Sequence, residues 1–594
     1  MSAFSKLPTK EVYIAIVFCI LAVTVFSIHV SHRTAHFQEC DSTVVYEALH
    51  NFPIPSFSFN SYVSQGSVVS AEQAQSILAW PLVRTFTSLY REQYHITDEG
   101  EFNARVVRAL TRLNPVTAFR AAYIAAVSQI PLPFFIKSFF ALPTAATYFP
   151  GAGLLFGLLS GPNTSYEDFM SRATLLTLVL FSVSAFLLYV ISRRMGIVPL
   201  VGAIAGTLFL FSISIYSYGY HLGSTIFNIV SGFAWLLVFV KYWNTSAFFK
   251  KMSLATAAIV FFNYLIVVYW SALFLFIIYK ESRGFAGDAR GKLKKVVKSA
   301  LVFLKTQWLA CAAFVFIGLF FYPPGQSYRG TTSFETLPGY AYNIILNFFG
   351  FYNDRGWLNV LQFCVAGALL VVAAIGIFSK KIDPASPRYA FRGVVVALFA
   401  VYAVLVAGHV LAFFPSRHIL VFAPVMFLLV ALALQDVVDR FRPSDVVLVG
   451  MWAVLVVLGF LSLFPRISAT EDRFAIGPVD PDVKKVFIYD CGASWGYKQW
   501  NVGVPVEVIK PSSFAPEVNQ TYLYVSQTAP MNEAFTSIAR EKQQEAEAPA
   551  VQVLSESYTP SDACFLGYHP SSSCLYGSPN RLYRAKFIIL PSKE

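Results

Sequence analysis

Three carboxylates stand close together just after the first apolar run of the chain, in the stretch HFQECDSTVVYEAL at residues 36–49. They are Glu39, Asp41 and Glu47. A carboxylate beside a membrane surface can act as a general base, taking the proton of an attacking hydroxyl group. Asp41 also has a structural interpretation, because a Ser-Thr pair and a helix-compatible run follow it, and an Asp in that position caps a helix. The two roles are compatible.

Helix rotation separates the three acids. If a helix starts directly after Asp41, Glu47 is turned away from it by about 600° in total and points elsewhere. Glu47 is therefore interpreted as a solvated or structural acid, whereas Glu39 precedes the helix and stays a candidate supporting acid. A second acidic pair, Glu167 and Asp168, has two interpretations: supporting acids, or favourable charges in the first turn of a helix.

The composition indicates what positions these residues. Of the 594 residues, 56% are hydrophobic and only 13% are charged, which excludes an ordinary soluble globule and predicts a polytopic α-helical membrane protein. About eleven transmembrane helices are expected: two are the arms of a hairpin, and the other nine lie at residues 12–30, 172–191, 197–215, 222–242, 307–322, 357–378, 394–414, 419–438 and 446–464.

The hairpin is inferred for residues 253–279, which are long for one span and short for two. Basic segments flank both ends, so both ends are expected on the cytoplasmic side. The chain should then turn near residues 263–269, with arms of about 13 residues, or roughly 20 Å of helix, each.

The net charge of +12 is interpreted through the positions of the cations. They cluster in alternate loops, most densely in the loop at residues 280–305. Under the positive-inside rule this predicts a cytoplasmic amino terminus and contact with anionic membrane lipids. Nucleic acid is not an expected partner.

Two domains are predicted. Residues 1–464 form the transmembrane domain, in which the first extracytoplasmic loop, residues 32–171, carries interfacial helices in stretches such as IPLPFFIKSFFALP. Residues 465–594 form a soluble extracytoplasmic domain of α+β or β-rich type, with strands expected in KKVFIYD, VPVEVIK, TYLYVS, AVQVLSES and RAKFIIL. Cys564 and Cys574 in this domain have a spacing that a disulfide can close. The expected location is a bacterial inner membrane, with this domain in the periplasm.

Four features occur in a fixed order along the chain. They are ECDS after the first span, TYFPGAGLLFGLLSGPNTSYEDFMSRATLL leading into the second, the short hairpin, and FFPSRHILVFAPVMFLL between later spans. In this order the chain resembles the GT-C class of integral-membrane glycosyltransferases, which take sugars from polyprenyl-phosphate carriers. The resemblance implies an inverting transfer of a monosaccharide to a glycan, lipid or protein acceptor at the non-cytoplasmic face, with Asp41 as the general base.

Such a transfer also needs cations to hold the departing phosphate. The candidates in the outer loops are Arg417, Arg329, His221 and His418. Arg417 stands where the resemblance places a basic residue, and its guanidinium matches phosphate oxygens; its alternative is an interfacial arginine that snorkels. No metal-type cluster of Cys and His is found in the sequence, so no cofactor is assigned, and a divalent cation is left open.

Two other functions fit the same layout. One is a transporter or flippase for a lipid-linked saccharide, and the other is a non-catalytic glycan-binding membrane protein. The expected spans contain few ionisable residues and no internal repeat, whereas transporters place such groups near the midplane. The sequence therefore favours chemistry at one membrane face.

Overall fold

The structure is a computed structural model and covers the chain in part. It describes residues 9–31, 45–46, 49–50, 130–146, 149–212, 215, 224–283, 289–321, 337–350, 356–377, 383, 385–408, 417–472, 479–488, 504–508, 517, 519–526, 551–559 and 582–590.

The body of the protein is helical. The described helices are α1 (Thr9–Ser31), α2 (Phe134–Ala146), α3 (Pro150–Leu159), α4 (Tyr166–Arg194), α5 (Pro199–Phe211), α6 (Ser224–Tyr242), α7 (Phe248–Ile259), α8 (Ile266–Arg283), α9 (Ala289–Thr306), α10 (Trp308–Phe320), α11 (Leu337–Phe349), α12 (Gly356–Ile377), α13 (Pro387–Ala407), α14 (Ala423–Phe441) and α15 (Asp445–Asp472). A 3-10 helix, Arg417–Phe422, leads directly into α14.

The chain is an integral membrane protein. Within the described ranges, six helices are long and apolar enough to cross a membrane, namely α1, α4, α6, α13, α14 and α15. A seventh crossing is reached if the bent pair α9–α10 counts as one span. Each of the eleven stretches expected to span contains a described apolar helix. The count of eleven crossings stays a prediction, because α5, α7 and α10 have only 12 or 13 residues.

Local sequence signals explain several helix ends. Ser165 accepts a hydrogen bond from the backbone N–H of Asp168 and caps α4, and Ser386 caps α13 in the same way. Pro199 and Pro387 occupy first-turn positions, where a missing N–H costs nothing. Arg442, in the left-handed conformation, ends α14.

The expected hairpin at residues 253–279 is confirmed as two helices, but its turn lies earlier than predicted. The chain turns at residues 260–265, and α8 starts at Ile266, so the arms are unequal, with 12 and 18 residues. The arms also pack mainly on other helices: α7 on α6 and α10, α8 on α9 and α13. Because the two arms pack on different helices, nothing requires them to be equally long, and the turn lies closer to the start of the pair.

The basic loop expected at residues 280–305 is also corrected, because much of it is the helix α9. The many charges conceal a helical repeat of apolar residues. Similarly, α13 starts at Pro387 rather than near residue 394. Its first two turns carry Arg388 and Arg392, whose charge is more typical of a loop; both pair with carboxylates of α14.

These ion pairs belong to a polar network that joins several helix ends. Arg392 donates to Asp436 at 2.9 and 3.1 Å. Arg388 donates to the carbonyl oxygens of Met195 and Gly196, each at 2.6 Å. Gln435 accepts from the backbone N–H of Val198 and donates to Asp439.

The network, together with a contact between Arg193 and Glu11, brings four helix ends to one end of the bundle. They are the start of α1, the end of α4, the start of α13 and the end of α14, and we call this end the basic end.

The predicted strands near the carboxyl terminus are all present. They are β1 (Val483–Ile488), β2 (Val506–Val508), β3 (Thr521–Ser526), β4 (Val551–Thr559) and β5 (Leu582–Ile589). They form one mixed sheet in the order β2-β1-β3-β5-β4; β1 is parallel to β2 and β3, and β5 is antiparallel to β3 and β4. Phe487, Tyr522 and Phe587 are buried and pack together.

Candidate functional site

The sequence-predicted site residues fall partly outside the described ranges. Glu39, Asp41, His221 and Arg329 lie outside them, as do Cys564 and Cys574. Arg417 and His418 are the first residues of the 3-10 helix, and the structure describes their backbone but not their side chains. The same holds for Glu167 in the first turn of α4. The backbone segments that carry these residues, together with their described neighbours, define the candidate site.

The segment after Asp41 is helical where it is described, at residues 45, 46, 49 and 50. It is held to the loop at residues 160–165. The Tyr46 hydroxyl donates to the Thr164 carbonyl oxygen at 3.0 Å. The ring of His50 stacks on Tyr46, with centroids 4.0 Å apart. Its Nδ1 lies 2.9 Å from the Tyr46 carbonyl oxygen and its Nε2 lies 3.3 Å from that of Gly161.

The loop at residues 160–165 is itself closed by short polar contacts. The Gly161 N–H donates to Thr164 Oγ1 at 2.7 Å, and Ser165 caps α4 through Asp168. Arg172, one turn further along, donates to the carbonyl oxygen of Leu159 at the end of α3 at 3.0 Å. The cation thus meets the negative end of the α3 dipole. This arrangement fixes the junction between α3 and α4.

Asp168 is exposed and stands in the first turn of α4. Its backbone N–H is the group that Ser165 caps, and its charge lies at the positive end of the helix dipole. These contacts agree with the structural interpretation of Asp168. A supporting catalytic role for Asp168, as for Glu167, stays a prediction.

Helix α3 connects this region to the turn of the helix pair α7–α8. The Gly151 N–H donates to the Phe261 carbonyl oxygen at 2.8 Å. A side chain at position 151 would collide with the Phe262 ring, because a Cβ added there would lie only 2.5 Å from the nearest ring atom, so glycine permits this approach. Phe149 packs edge-on against Tyr264, with centroids 4.7 Å apart.

Helix α8, which follows this turn, contacts the 3-10 helix that begins at Arg417. Tyr269, one turn into α8 and fully buried, donates to the Val421 carbonyl oxygen at 2.6 Å. Gly232 of α6 allows the close approach of Pro424, whose Cγ would lie 2.8 Å from a Cβ at that position. Phe422 packs against Tyr402 of α13, with centroids 4.7 Å apart. Contacts from three helices therefore fix the backbone that starts at Arg417.

Two buried amides lie between these elements. Asn263, in the turn, donates from Nδ2 to the carbonyl oxygen of Asn228 in α6 at 3.3 Å. The side-chain oxygens of both residues are buried and have no hydrogen-bond partner among the residues that the structure describes. Buried amide oxygens of this kind ordinarily accept from water or from a bound hydroxyl group.

The segments after Asp41 and after Arg417 lie at the same end of the bundle, opposite the basic end. The first packs at the start of α4 and the second leads into the start of α14. The far ends of both helices are tied into one network by Arg388, which contacts Met195 and Asp439. With 29 residues, α4 separates the two ends by about 43 Å.

Sequence reasoning missed Tyr46 and His50, which anchor the segment after Asp41. A signal was present, since their spacing of four residues places them on one helix face. The neighbouring acids are the more conspicuous chemical feature of that stretch. Among the described residues, no group of three or more His, Cys, Asp or Glu side chains could hold a metal ion.

Comparisons with known proteins give little further guidance. No family model matches the chain, and no curated protein matches it. Among solved structures, the chain is similar to the crystal structure of ArnT from Cupriavidus metallidurans bound to undecaprenyl phosphate. The match covers 74% of this chain and 87% of ArnT at 12% identity, with a TM-score of 0.26. A likeness this low carries no conclusion about residue roles.

Proposed function

We propose that the chain is a GT-C-like inverting glycosyltransferase that moves a monosaccharide from a polyprenyl-phosphate donor to a glycan, lipid or protein acceptor at the non-cytoplasmic membrane face. The observation that supports this most directly is the shared location of two segments. The helix after Asp41 and the 3-10 helix that starts at Arg417 lie at one end of the bundle, away from the basic end. By the positive-inside rule the basic end is cytoplasmic.

In the proposed reaction, Asp41 accepts the proton and Arg417 stabilises the leaving phosphate. Asp41 takes the proton of the acceptor hydroxyl, the acceptor oxygen attacks the anomeric carbon, and the bond from that carbon to the phosphate oxygen breaks. The electron pair leaves with the polyprenyl phosphate, whose charge Arg417 stabilises through a forked guanidinium contact. Arg329, His221 and His418 are further candidates for phosphate contact, and Glu39 is a candidate for supporting Asp41.

The burial of the charged side chains that the structure describes also favours this proposal over ion-coupled transport. Among the Asp, Glu, Lys and Arg residues that the structure describes, Arg392 alone is buried, and it is paired with Asp436 at the basic end. Coupled transporters place such groups near the bilayer midplane, beside broken helices. The ion pair of Arg392 and Asp436 joins two helices at the proposed cytoplasmic end, and this structural role requires no transport pathway.

In this proposal the predicted extracytoplasmic domain, residues 465–594, contains the sheet β1–β5; its first residues, through Asp472, still belong to α15, so the part that carries the sheet follows that helix. Helix α15 leads from the basic end toward it, because its first residue, Asp445, contacts Lys10 at the start of α1. With 28 residues, α15 is long enough to cross a bilayer. A domain in this position can bind part of the acceptor or define its access.

The deciding experiment uses the purified full chain with a panel of polyprenyl-phosphate monosaccharides carrying a radiolabelled sugar. Asp41→Asn should lower transfer by a factor of about 10²–10⁴ while leaving the binding of polyprenyl phosphate intact. Arg417→Gln should weaken that binding, and Arg417→Lys should restore it in part. Transfer that survives in Asp41→Asn, or donor that crosses the membrane without transfer in reconstituted vesicles, would refute the proposal.

A further inference from the structure

Helix α9 carries a basic stripe along its exposed surface. The stripe consists of Arg290, Lys294, Lys298 and Lys305, which fall within about 80° of the helix circumference. All four side chains are exposed. None of them pairs with a carboxylate in the part of the chain that the structure describes, although ion pairs are found elsewhere in that part.

An exposed apolar stripe runs beside the basic one and overlaps its edge by about 20° of the helix circumference. Its members are Leu293, Val297, Leu301 and Leu304, again within about 80° of the circumference. Leu293 and Leu301 are 63% and 62% exposed. A water-soluble face would not present four large apolar side chains at helical spacing, so this stripe faces an apolar medium.

A third face attaches α9 to the rest of the bundle. Phe303 is buried and packs against Trp270 and Phe274 of α8, with centroids 5.4 and 5.2 Å apart. The apolar stripe is turned by about 120° from Phe303 and its side chains are exposed, so it can enter lipid beside the protein. The basic stripe lies on its flank, farther from Phe303.

The direction of α9 changes sharply at Gln307. The axes of α9 and α10 differ by 73°. The bend is held by Gln307, which is buried and donates to the carbonyl oxygen of Phe249 at 2.8 Å. If α10 enters the bilayer, a helix at this angle to it runs close to the membrane plane.

The carboxyl end of α9 lies beside the start of α7, and α8, which precedes α9 in the chain, leads to the basic end. Helix α7 begins beside Gln307 with Lys250 and Lys251. Phe276 of α8 lies against Tyr389 at the start of α13. The surface on which α9 would lie is therefore the cytoplasmic leaflet, whose anionic phospholipids complement the basic stripe.

We propose that α9 is a cytoplasmic interfacial helix that binds anionic phospholipids, its apolar stripe entering the acyl region and its basic stripe contacting the headgroups. This arrangement is typical of helices that lie in the interface plane. The alternative, in which α9 is the first half of a broken span, would place Lys294 and Lys298 in hydrocarbon, which membrane helices avoid. The inference does not rest on the proposed transferase activity.

Lipid selectivity tests the basic stripe. The purified full chain is exposed to equal amounts of phosphatidylcholine and phosphatidylglycerol, and the retained lipids are counted by native mass spectrometry. The triple variant Lys294→Gln/Lys298→Gln/Lys305→Gln should lose most of the preference for phosphatidylglycerol, by roughly tenfold or more. The matched variant with Arg at the three positions should keep it. A preference that is absent in the parent, unchanged in the Gln variant, or lost in the Arg variant would overturn the proposal.

Depth in the bilayer tests the orientation of the apolar stripe. A fluorophore is attached to Leu301→Cys, with the labelling of the parent chain subtracted, in vesicles that contain phosphatidylglycerol and lipids spin-labelled at defined depths. Quenching should be strongest for labels just below the headgroups. Strongest quenching by labels at the bilayer centre would instead support a broken span, and the absence of quenching would place α9 off the membrane; either result contradicts the proposal.

Discussion

The hydroxyl group of Tyr269 donates a hydrogen bond to the carbonyl oxygen of Val421 across 2.6 Å. The contact joins α8 to the 3-10 helix that starts at Arg417, over 152 residues of sequence. A 3-10 helix leaves carbonyl groups that need outside donors. Tyr269 supplies one of these donors, and it ties the backbone next to the proposed phosphate contact to a buried part of the bundle.

Tyr269→Phe should therefore destabilise the protein and impair the proposed phosphate site. The substitution leaves a buried carbonyl oxygen without its partner, at a cost of about 1–3 kcal/mol. Thermal unfolding of the full chain should occur at a lower temperature, and binding of polyprenyl phosphate should weaken. Tyr279→Phe is the matched control, because Tyr279 is on the same helix but 55% exposed. Equal behaviour of the two variants would contradict the role assigned to Tyr269.

The pair of Arg392 and Asp436 should show the asymmetry of a buried ion pair. Arg392 is buried and Asp436 is 29% exposed in its side chain. Arg392→Met strands the carboxylate, and we expect a loss of roughly 3 kcal/mol, at the lower end for buried pairs because Asp436 retains some solvent. Arg392→Met/Asp436→Leu should recover most of the loss. Unfolding in detergent measures both, and a double variant no more stable than the single one would show that the pair does more than neutralise charge.

The close packing of α1 on α5 depends on Gly206. A Cβ at this position would lie 2.4 Å from the Phe18 ring, and Phe18 is buried. Gly206→Ala should cost about 1–3 kcal/mol through overpacking. In the background Phe18→Leu the same substitution should cost less, a coupling that a double-mutant cycle detects. Gly450→Ala serves as the control, since a Cβ there meets nothing within 4 Å; it should be neutral or stabilising.

How far the sequence predicts this fold depends on the kind of signal. The strands β1–β5 are all predictable, because alternation of apolar residues between Pro, Gly and Ser is a local pattern. The starts of α9 and α13 are not, because cations such as Lys294 and Arg392 mark the loops between spans of a membrane protein, although both residue types are compatible with a helix. In α13 the partner that accommodates Arg392 is Asp436, which is 44 residues away in sequence.

The candidate site shows the same limit. The approach of Gly151 to the turn of α7–α8 and the bond from Tyr269 to Val421 are tertiary contacts that no local pattern encodes. The helix after Asp41, in contrast, is expected from its capping residues, and the four described residues of that segment are helical. The catalytic role of Asp41 stays a prediction.

The carboxyl-terminal sheet should lose stability in acid. Lys586 donates to Asp482 at 2.8 Å and to Asp480 at 2.9 Å, and the hydrogen bond from Lys586 lowers the pKa of Asp482 below its usual value. Lys484 likewise lowers the pKa of Glu517. A carboxyl group whose pKa is lowered by folding stabilises the folded state fully at pH values above its pKa in the unfolded chain, which is about 4. That stabilisation is lost as the pH falls through the lower pKa of the folded state.

Hydrogen exchange of β5 in the full chain, corrected for the intrinsic rate at each pH, measures this dependence. Protection should decline below about pH 4. Lys586→Met should flatten the decline, because Asp482 then titrates near its usual value in both states. A decline as steep in Lys586→Met as in the parent would assign the acid sensitivity to other groups.

His50 should control how firmly the segment after Asp41 is held. Its two ring nitrogens each face a backbone carbonyl oxygen, from Tyr46 and Gly161. A neutral imidazole has one N–H and satisfies one of them, whereas an imidazolium satisfies both. His50→Phe keeps a ring that can stack against Tyr46 but removes both contacts, so the segment should be attached to the loop at residues 160–165 by the Tyr46–Thr164 hydrogen bond without the one to Gly161.

If Asp41 is the general base, this loosening should lower kcat by roughly tenfold to a hundredfold, because small displacements of a reacting group are costly. KM for the lipid donor should change little, since the proposed phosphate contacts lie on other segments. His50→Gln, which retains a side-chain donor for Gly161, should recover part of the rate. Loss of donor binding with an unchanged kcat would place His50 at the phosphate instead, and rates equal to the parent in both variants would show that the segment is positioned by other contacts.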